Sequence, residues 1–149
     1  MSFEILDENN YPWELLLDAD PSRKMVNNWL ARGVCVGMYD EGLLVGEFVL
    51  AWIGDDRAEL ANIAVRPDRR GQGIAKGLIQ ECVRRARSGG ARTLEVGTGN
   101  AGIGQLALYQ KCGFRIVGID LDFFVRNYEE PIEENGIPCR DMIRLRMEL

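Results

Sequence analysis

Apolar residues along this chain fall into short blocks with strand-like or helical spacing, separated by turn signals. "FEIL" opens as a short strand. "YPWELLLDA" and "DPSRKMVNNWLARG" read as two short helices, the second with Asp20 as N-cap, Pro21 at its first position and Gly33 past its end. "VCVGMY" and "LLVGEFVLAWI" are strand-like and joined at "DEG", a hairpin signal. "AELANIAV", residues 58–65, is another strand, stopped at Pro67. In "GIAKGLIQECVRRARSGG", Ile74, Ala75, Leu78, Ile79, Cys82, Val83 and Ala86 recur at helical spacing, and Gly89 and Gly90 end the run. "RTLEVGT" reads as a buried strand and "IGQLALYQKC" as a helix capped by Gly113. "FRIVGIDLDFFV" reads as a strand, "NYEEPIEENG" as an acidic loop and "CRDMIRLRMEL" as a last strand. The order predicts one α/β domain over residues 1–149, with a mixed sheet and helices on its faces.

Composition narrows the chemistry. The 149 residues are enough for one domain with a proper core. A net charge of −5 argues against a broad basic surface for nucleic acid. No apolar run reaches the length of a membrane span, and the N-terminus lacks the marks of a signal peptide, so cytoplasm is the expected location. The cysteines, Cys35, Cys82, Cys112 and Cys139, are widely spaced and form no CxxC pair, which predicts free thiols and no metal site. With no histidine in the chain, every histidine-based mechanism is excluded. Acid–base work falls to Glu, Asp, Tyr, Lys, Cys or water.

The stretch "VRPDRRGQGIAKGL", residues 65–78, joins a strand to a helix through two glycines and two arginines. The first N–H groups of a helix have no internal partner, and its dipole favours negative charge. Gly71 and Gly73 would let a phosphate approach the backbone, and Arg69 and Arg70 could add charge-assisted hydrogen bonds. The same pattern also describes a plain strand-to-helix turn with solvated arginines.

"RRGQGIA" fits the [QR]-x-x-G-x-[GA] signature of the GNAT superfamily of N-acetyltransferases, with Arg70, Gly73 and Ala75 in the defining places. "LALYQKCGF", residues 106–114, is similar to a second segment of that family. The resemblance implies the GNAT fold, a mixed, mostly antiparallel central sheet with helices on both faces. It implies acetyl-CoA as co-substrate, no metal, and transfer to an amine in a ternary complex. The pyrophosphate would rest on Arg70, Gly71, Gln72, Gly73, Ile74 and Ala75, and the pantetheine arm would pair with backbone groups of Ile63 and Val65. Tyr109 matches the family tyrosine that protonates the leaving thiolate. Glu59 matches a position where some members carry a catalytic base, with Glu47, Asp120 and Asp122 as lesser candidates. The family often has an asparagine seven residues before the tyrosine. Gly102 stands there instead, and Asn100 is the nearest replacement for that cofactor contact.

A second motif competes. "LEVGTGNAG" contains GxGxxG at Gly97, Gly99 and Gly102, with Asp120 and Asp122 about twenty residues on, as in a dinucleotide or S-adenosylmethionine site. Such folds continue with several βα units, whereas one convincing strand follows Asp122. A methyltransferase-like protein and a non-catalytic acyl-CoA sensor are the alternatives to an acetyltransferase. The acceptor is unspecified. The acidic residues Glu129, Glu130, Glu133 and Glu134 would favour a cationic amine if they face it, and are otherwise a solvated loop. The last strands leave room for a homodimer.

Overall fold

The computed structural model describes residues 1–149. The chain divides into two compact units, Met1–Leu94 with Leu149, and Glu95–Glu148. The α/β architecture is the expected one, mixed and mostly antiparallel, with seven sheet strands and helices.

In the first unit, β1 (Ser2–Leu6), β2 (Gly33–Asp40), β3 (Leu43–Trp52) and β4 (Arg57–Val65) lie in that order, each pair antiparallel. The β2–β3 turn uses positive φ at Glu41 and Gly42, the conformation that "DEG" signals. Along β3, alternation splits the side chains between two faces. Val49 packs with Leu16 of α1 (Trp13–Ala19) and with Val26 and Leu30 of α2 (Arg23–Leu30). On the other face, Gly46 lies against Ile74 and Leu78 of α3 (Ile74–Ser88). Helices therefore cover both faces. Val26 and Leu30, one turn apart on α2, are both buried, each worth roughly 1.5–3 kcal/mol.

The N-cap of α2 differs from the expectation. Ser22 is the cap, its Oγ accepting from the Met25 N–H at 3.2 Å, while Asp20 accepts from the Ser22 N–H at 3.0 Å. Asp20 thus orders the approach to the helix and Ser22 closes its first turn. The β3–β4 ladder also carries a β-bulge. Val49 pairs with Asn62 but Leu50 pairs with Leu60, leaving Ala61 as the extra residue.

In the second unit, β5 (Thr93–Gly99), β9 (Met142–Glu148) and β6 (Arg115–Asp120) lie in that order, and α4 (Ile103–Lys111) follows β5. "FRIVGIDLDFFV" is not one strand. It breaks at Leu121, Asp122 takes a left-handed conformation, and α5 (Phe123–Asn127) follows. The acidic stretch is not a plain loop either. β7 (Ile132–Glu134) and β8 (Ile137–Cys139) form a small hairpin about Asn135 and Gly136, both with positive φ. No helix is long and apolar enough to cross a membrane.

Candidate anion loop and carboxylates

α3 begins without a side-chain cap and without an acidic residue in its first turn. Gly73, at its N-cap, has φ 79°, and Gly71 has φ 76°. A Cβ at either position would meet nothing within 4 Å, so open space lies over both. These glycines are therefore not filling a packed corner. They hold left-handed turns at the start of a helix whose first N–H groups have no side-chain cap, the arrangement that suits a phosphate.

The arginines are less free than their sequence suggests. Arg69 forms an ion pair with Asp40 and donates to Gln72 Oε1 at 3.2 Å. Arg70 pairs with Asp18 at 2.8 Å, both side chains about half exposed. Both arginines brace the loop from outside, leaving backbone amides as its main donors. Ile74 is buried, anchoring the helix start to the sheet.

On β4, Ile63 pairs with Phe48 and Val65 with Gly46. Glu59 sits beside Ala51 and Ala64 beside Glu47, so Glu59 and Glu47 share the sheet face on which Asn62 donates to the Leu16 carbonyl at 3.0 Å. Both carboxylates are buried, Glu59 at 6% exposure and Glu47 at 0%. Burial lifts the Glu47 carboxyl to about 8. Its Oε2 accepts from the Cys35 thiol at 4.0 Å, and its Oε1 has no partner. The Cys35 thiol is itself pushed far up, first by burial and then by Glu47. From the sequence alone Glu47 ranks below Glu59 as a base. Its position inside the apolar run "LLVGEFVLAWI" was the available signal for a buried carboxyl.

In the second unit, Tyr109 on α4 is 4% exposed and packs edge-on against Phe114, ring centres 5.9 Å apart. Asn100 follows β5 and is committed locally. Its Oδ1 accepts from the N–H groups of Arg140 (2.8 Å) and Asp141 (3.0 Å), and its Nδ2 donates to the Pro138 carbonyl (3.1 Å). Its backbone N–H donates to the Asp141 carbonyl at 2.9 Å, so any contact of this residue with a cofactor falls to its own carbonyl.

The GxGxxG glycines answer to the chain's own packing. A Cβ at Gly97 would lie 2.5 Å from the Met142 sulfur, and one at Gly102 would lie 2.7 Å from Thr98 Oγ1. A Cβ at Gly99 would collide with the Cys139 sulfur. Cys139 and Met142 thus occupy the space a pyrophosphate would need over Gly97 and Gly99. Asp120 and Asp122, which that motif would place on a ribose, pair instead with Arg126 and Arg140. Beside this packing, a cavity of about 340 Å³ is lined by Phe124, Tyr128, Glu129, Glu130, Ile132 and Arg140, among others. No group of three or more His, Cys, Asp or Glu side chains could hold a metal ion. The four cysteines are free thiols.

The Acetyltransferase (GNAT) family model matches residues 3–114. An uncharacterized N-acetyltransferase of Bacillus subtilis (strain 168), YvbK, is 46% identical over 143 residues, covering 96% of this chain and 92% of that protein. The structure of the IAA acetyltransferase from Bacillus cereus ATCC 14579 superposes with a TM-score of 0.95 at 47% identity, covering 99% of both chains. A GNAT family acetyltransferase from Elizabethkingia anophelis with acetyl-CoA bound superposes with a TM-score of 0.96 at 40% identity, covering 99% of this chain and 97% of that one.

Proposed function

The chain belongs to the GNAT acetyltransferase family, and from that premise we propose that it moves the acetyl group of acetyl-CoA to a primary amine by direct attack. The observation that carries the reading is the start of α3, uncapped, preceded by two left-handed glycines and open above them. Residues 1–149 act as one acetyltransferase domain. The proposed donor site takes the pyrophosphate on the amides of Arg70, Gly71, Gln72, Gly73, Ile74 and Ala75. It takes the pantetheine arm on backbone groups of Ile63 and Val65, with Asn100 a further cofactor contact through its backbone.

An attacking amine must be neutral, and a lysine-like amine has a pKa near ~10.4, so a proton acceptor is needed. Glu59 takes that role, directly or through water. As the new C–N bond forms and the C–S bond breaks, β4 N–H groups stabilise the developing oxyanion. Tyr109 gives its phenolic proton to the departing thiolate, and the second proton lost by the attacking nitrogen returns to the tyrosinate through water, so the net proton released is the ammonium proton that Glu59 took. The acidic residues Glu129, Glu130, Glu133 and Glu134 favour a cationic acceptor. The reading places the protein in the cytoplasm, where its four free thiols stay reduced.

Calorimetric titration with acetyl-CoA and, separately, with S-adenosylmethionine tests the reading. Micromolar binding of acetyl-CoA alone, with acetylation in an amine screen, is expected. Binding without turnover of any amine would favour an acyl-CoA sensor, and binding of S-adenosylmethionine alone would overturn the donor assignment.

A further inference from the structure

β6 pairs with β9 along one side and with no strand along the other. Exposed edges of this kind are normally blunted by charge, proline or a covering segment, because their free N–H and C=O groups template pairing with another chain. β6 carries no proline, and its only charges are Arg115 and Asp120 at its two ends. Its apolar side chains are turned out instead: Ile116 and Val117 are 50% exposed and Ile119 61%. Leu121 (68%) and Val125 (57%) extend the patch just beyond the strand. β1, another edge, leaves one large apolar side chain exposed, Ile5. Exposed apolar side chains gathered along one sheet edge in this way mark an interaction site.

We propose that β6 joins two copies of this chain, strand to strand and antiparallel, across a two-fold axis at Val117–Gly118. The sequence of the strand, Arg-Ile-Val-Gly-Ile-Asp, reads as its own complement in that arrangement. A two-fold axis through a regular antiparallel pair sets a central residue opposite itself, which an even-numbered strand cannot satisfy end to end. The bulge removes the obstacle. Against β9, Ile116 pairs with Leu145 and Gly118 with Arg144, so Val117 is the extra residue and the remaining positions form a five-step ladder.

The same register fixes the faces. Ile116 and Ile119 share the face of Leu145 and Ile143, whereas Arg115, Gly118 and Asp120 share the other. Self-pairing then places Ile116 opposite Ile119 of the partner subunit on one face. On the other it places Arg115 opposite Asp120 of the partner subunit, and each pair occurs twice. Arg115 has no ion pair within its own chain, and Asp120, already held by Arg126, gains a second cation. A Cβ at Gly118 would meet nothing within 4 Å, so the centre is open for a neighbouring backbone. Apolar pairs and opposite charges facing each other across a ladder are the contacts that stabilise strand pairing. The occupant is a second copy because the strand supplies both halves of that complementarity.

Sedimentation equilibrium of the full chain tests this. The wild type should sediment as two chains, and I119D should raise the dimer dissociation constant at least about tenfold. R115D should weaken the dimer, and R115D/D120R should restore it. Under mild oxidation I116C/I119C should form an intermolecular disulfide that neither single cysteine variant forms, since only the double variant sets thiols opposite each other. Circular dichroism and acetyl-CoA binding confirm that each variant is folded. A wild type that is monomeric at about 100 μM would overturn the proposal. So would an I119D protein that dimerises as the wild type does, or single cysteine variants that cross-link as readily as the double.

Discussion

The Cys35 thiol and the Glu47 carboxylate meet inside the sheet of the first unit, Sγ to Oε2, at 4.0 Å. They lie on neighbouring strands, Cys35 opposite Val49 and Glu47 opposite Gly37, so the contact is diagonal across the β2–β3 ladder. Neither group reaches solvent. A carboxyl in this setting keeps its proton well above the ordinary range, because ionising it would leave a charge with one weak donor and a bare Oε1.

Stability should therefore fall as pH rises. The folded-state pKa of Glu47, about 8, lies above the ordinary carboxyl value of 4.5 that holds in the unfolded chain, so the folded chain binds the extra proton between those values. The contribution is fully present below about pH 4.5 and is lost as pH climbs through about 8, by several kcal/mol in total. Urea unfolding at about pH 5 and about pH 8.5 should show this decline for the wild type and a much flatter profile for Glu47→Gln. Equal slopes for the two proteins would mean that Glu47 ionises normally.

The two buried carboxylates separate by function. Glu59→Gln should lower turnover by roughly 10²-fold or more while leaving acetyl-CoA affinity within about twofold, as expected for loss of a general base. Glu47→Gln should leave turnover near the wild-type level. Steady-state kinetics against a reactive amine reads both, and the reverse pattern would transfer the base to Glu47.

Gly73 is the position where the donor loop is most fragile. Valine there would have to adopt φ 79°, a left-handed conformation costing a β-branched residue roughly 1–3 kcal/mol. Its side chain would also stand in the open space above the α3 amides. Gly73→Val should weaken acetyl-CoA binding at least about tenfold in calorimetry, with a modest loss of stability. Unchanged affinity would remove this turn from the donor site.

How much of this was legible depended on whether the cause was local. The "DEG" hairpin and α3 were readable because turn chemistry and helical periodicity lie within a few residues. The end of β6 was not. "LDFFV" has strand propensity, but the Asp122 N–H donates to the Asp141 side chain at 2.8 Å and the Asp122 carboxylate pairs with Arg140. Those partners lie 18 and 19 residues away, and they turn the chain into α5. Asn135–Gly136 was a readable turn signal hidden in an acidic stretch. The two glycine motifs looked alike in sequence. Only packing separates glycines that leave room for a ligand, Gly71 and Gly73, from glycines that leave room for Met142 and Cys139.

Asn100 gives a test of that packing. Asn100→Ala removes two acceptor bonds and one donor bond to the backbone of residues 138–141, at a cost of roughly 1–3 kcal/mol. The melting temperature should drop by several degrees and proteolysis within residues 122–141 should accelerate, with acetyl-CoA affinity little changed. A large loss of affinity at an unchanged melting temperature would instead make the Asn100 side chain a cofactor ligand.

Tyr109 joins packing and chemistry in one side chain, and phenylalanine separates them. The ring packs edge-on against Phe114 in a nearly closed environment, and Tyr109→Phe keeps that ring while removing the hydroxyl. Stability should change by no more than about 1–2 kcal/mol, since only the bonding of the hydroxyl is lost. A phenol with a pKa near ~10 is protonated at neutral pH, so its removal deprives the leaving thiolate of its acid. Turnover should fall by roughly 10²-fold or more, with KM for acetyl-CoA and its calorimetric affinity nearly constant, because the proton moves only in the transition state. If kcat stays at the wild-type level, the thiolate takes its proton from water and Tyr109 is a packing residue. If affinity falls while kcat holds, the hydroxyl is a binding contact, and the acid must be sought elsewhere.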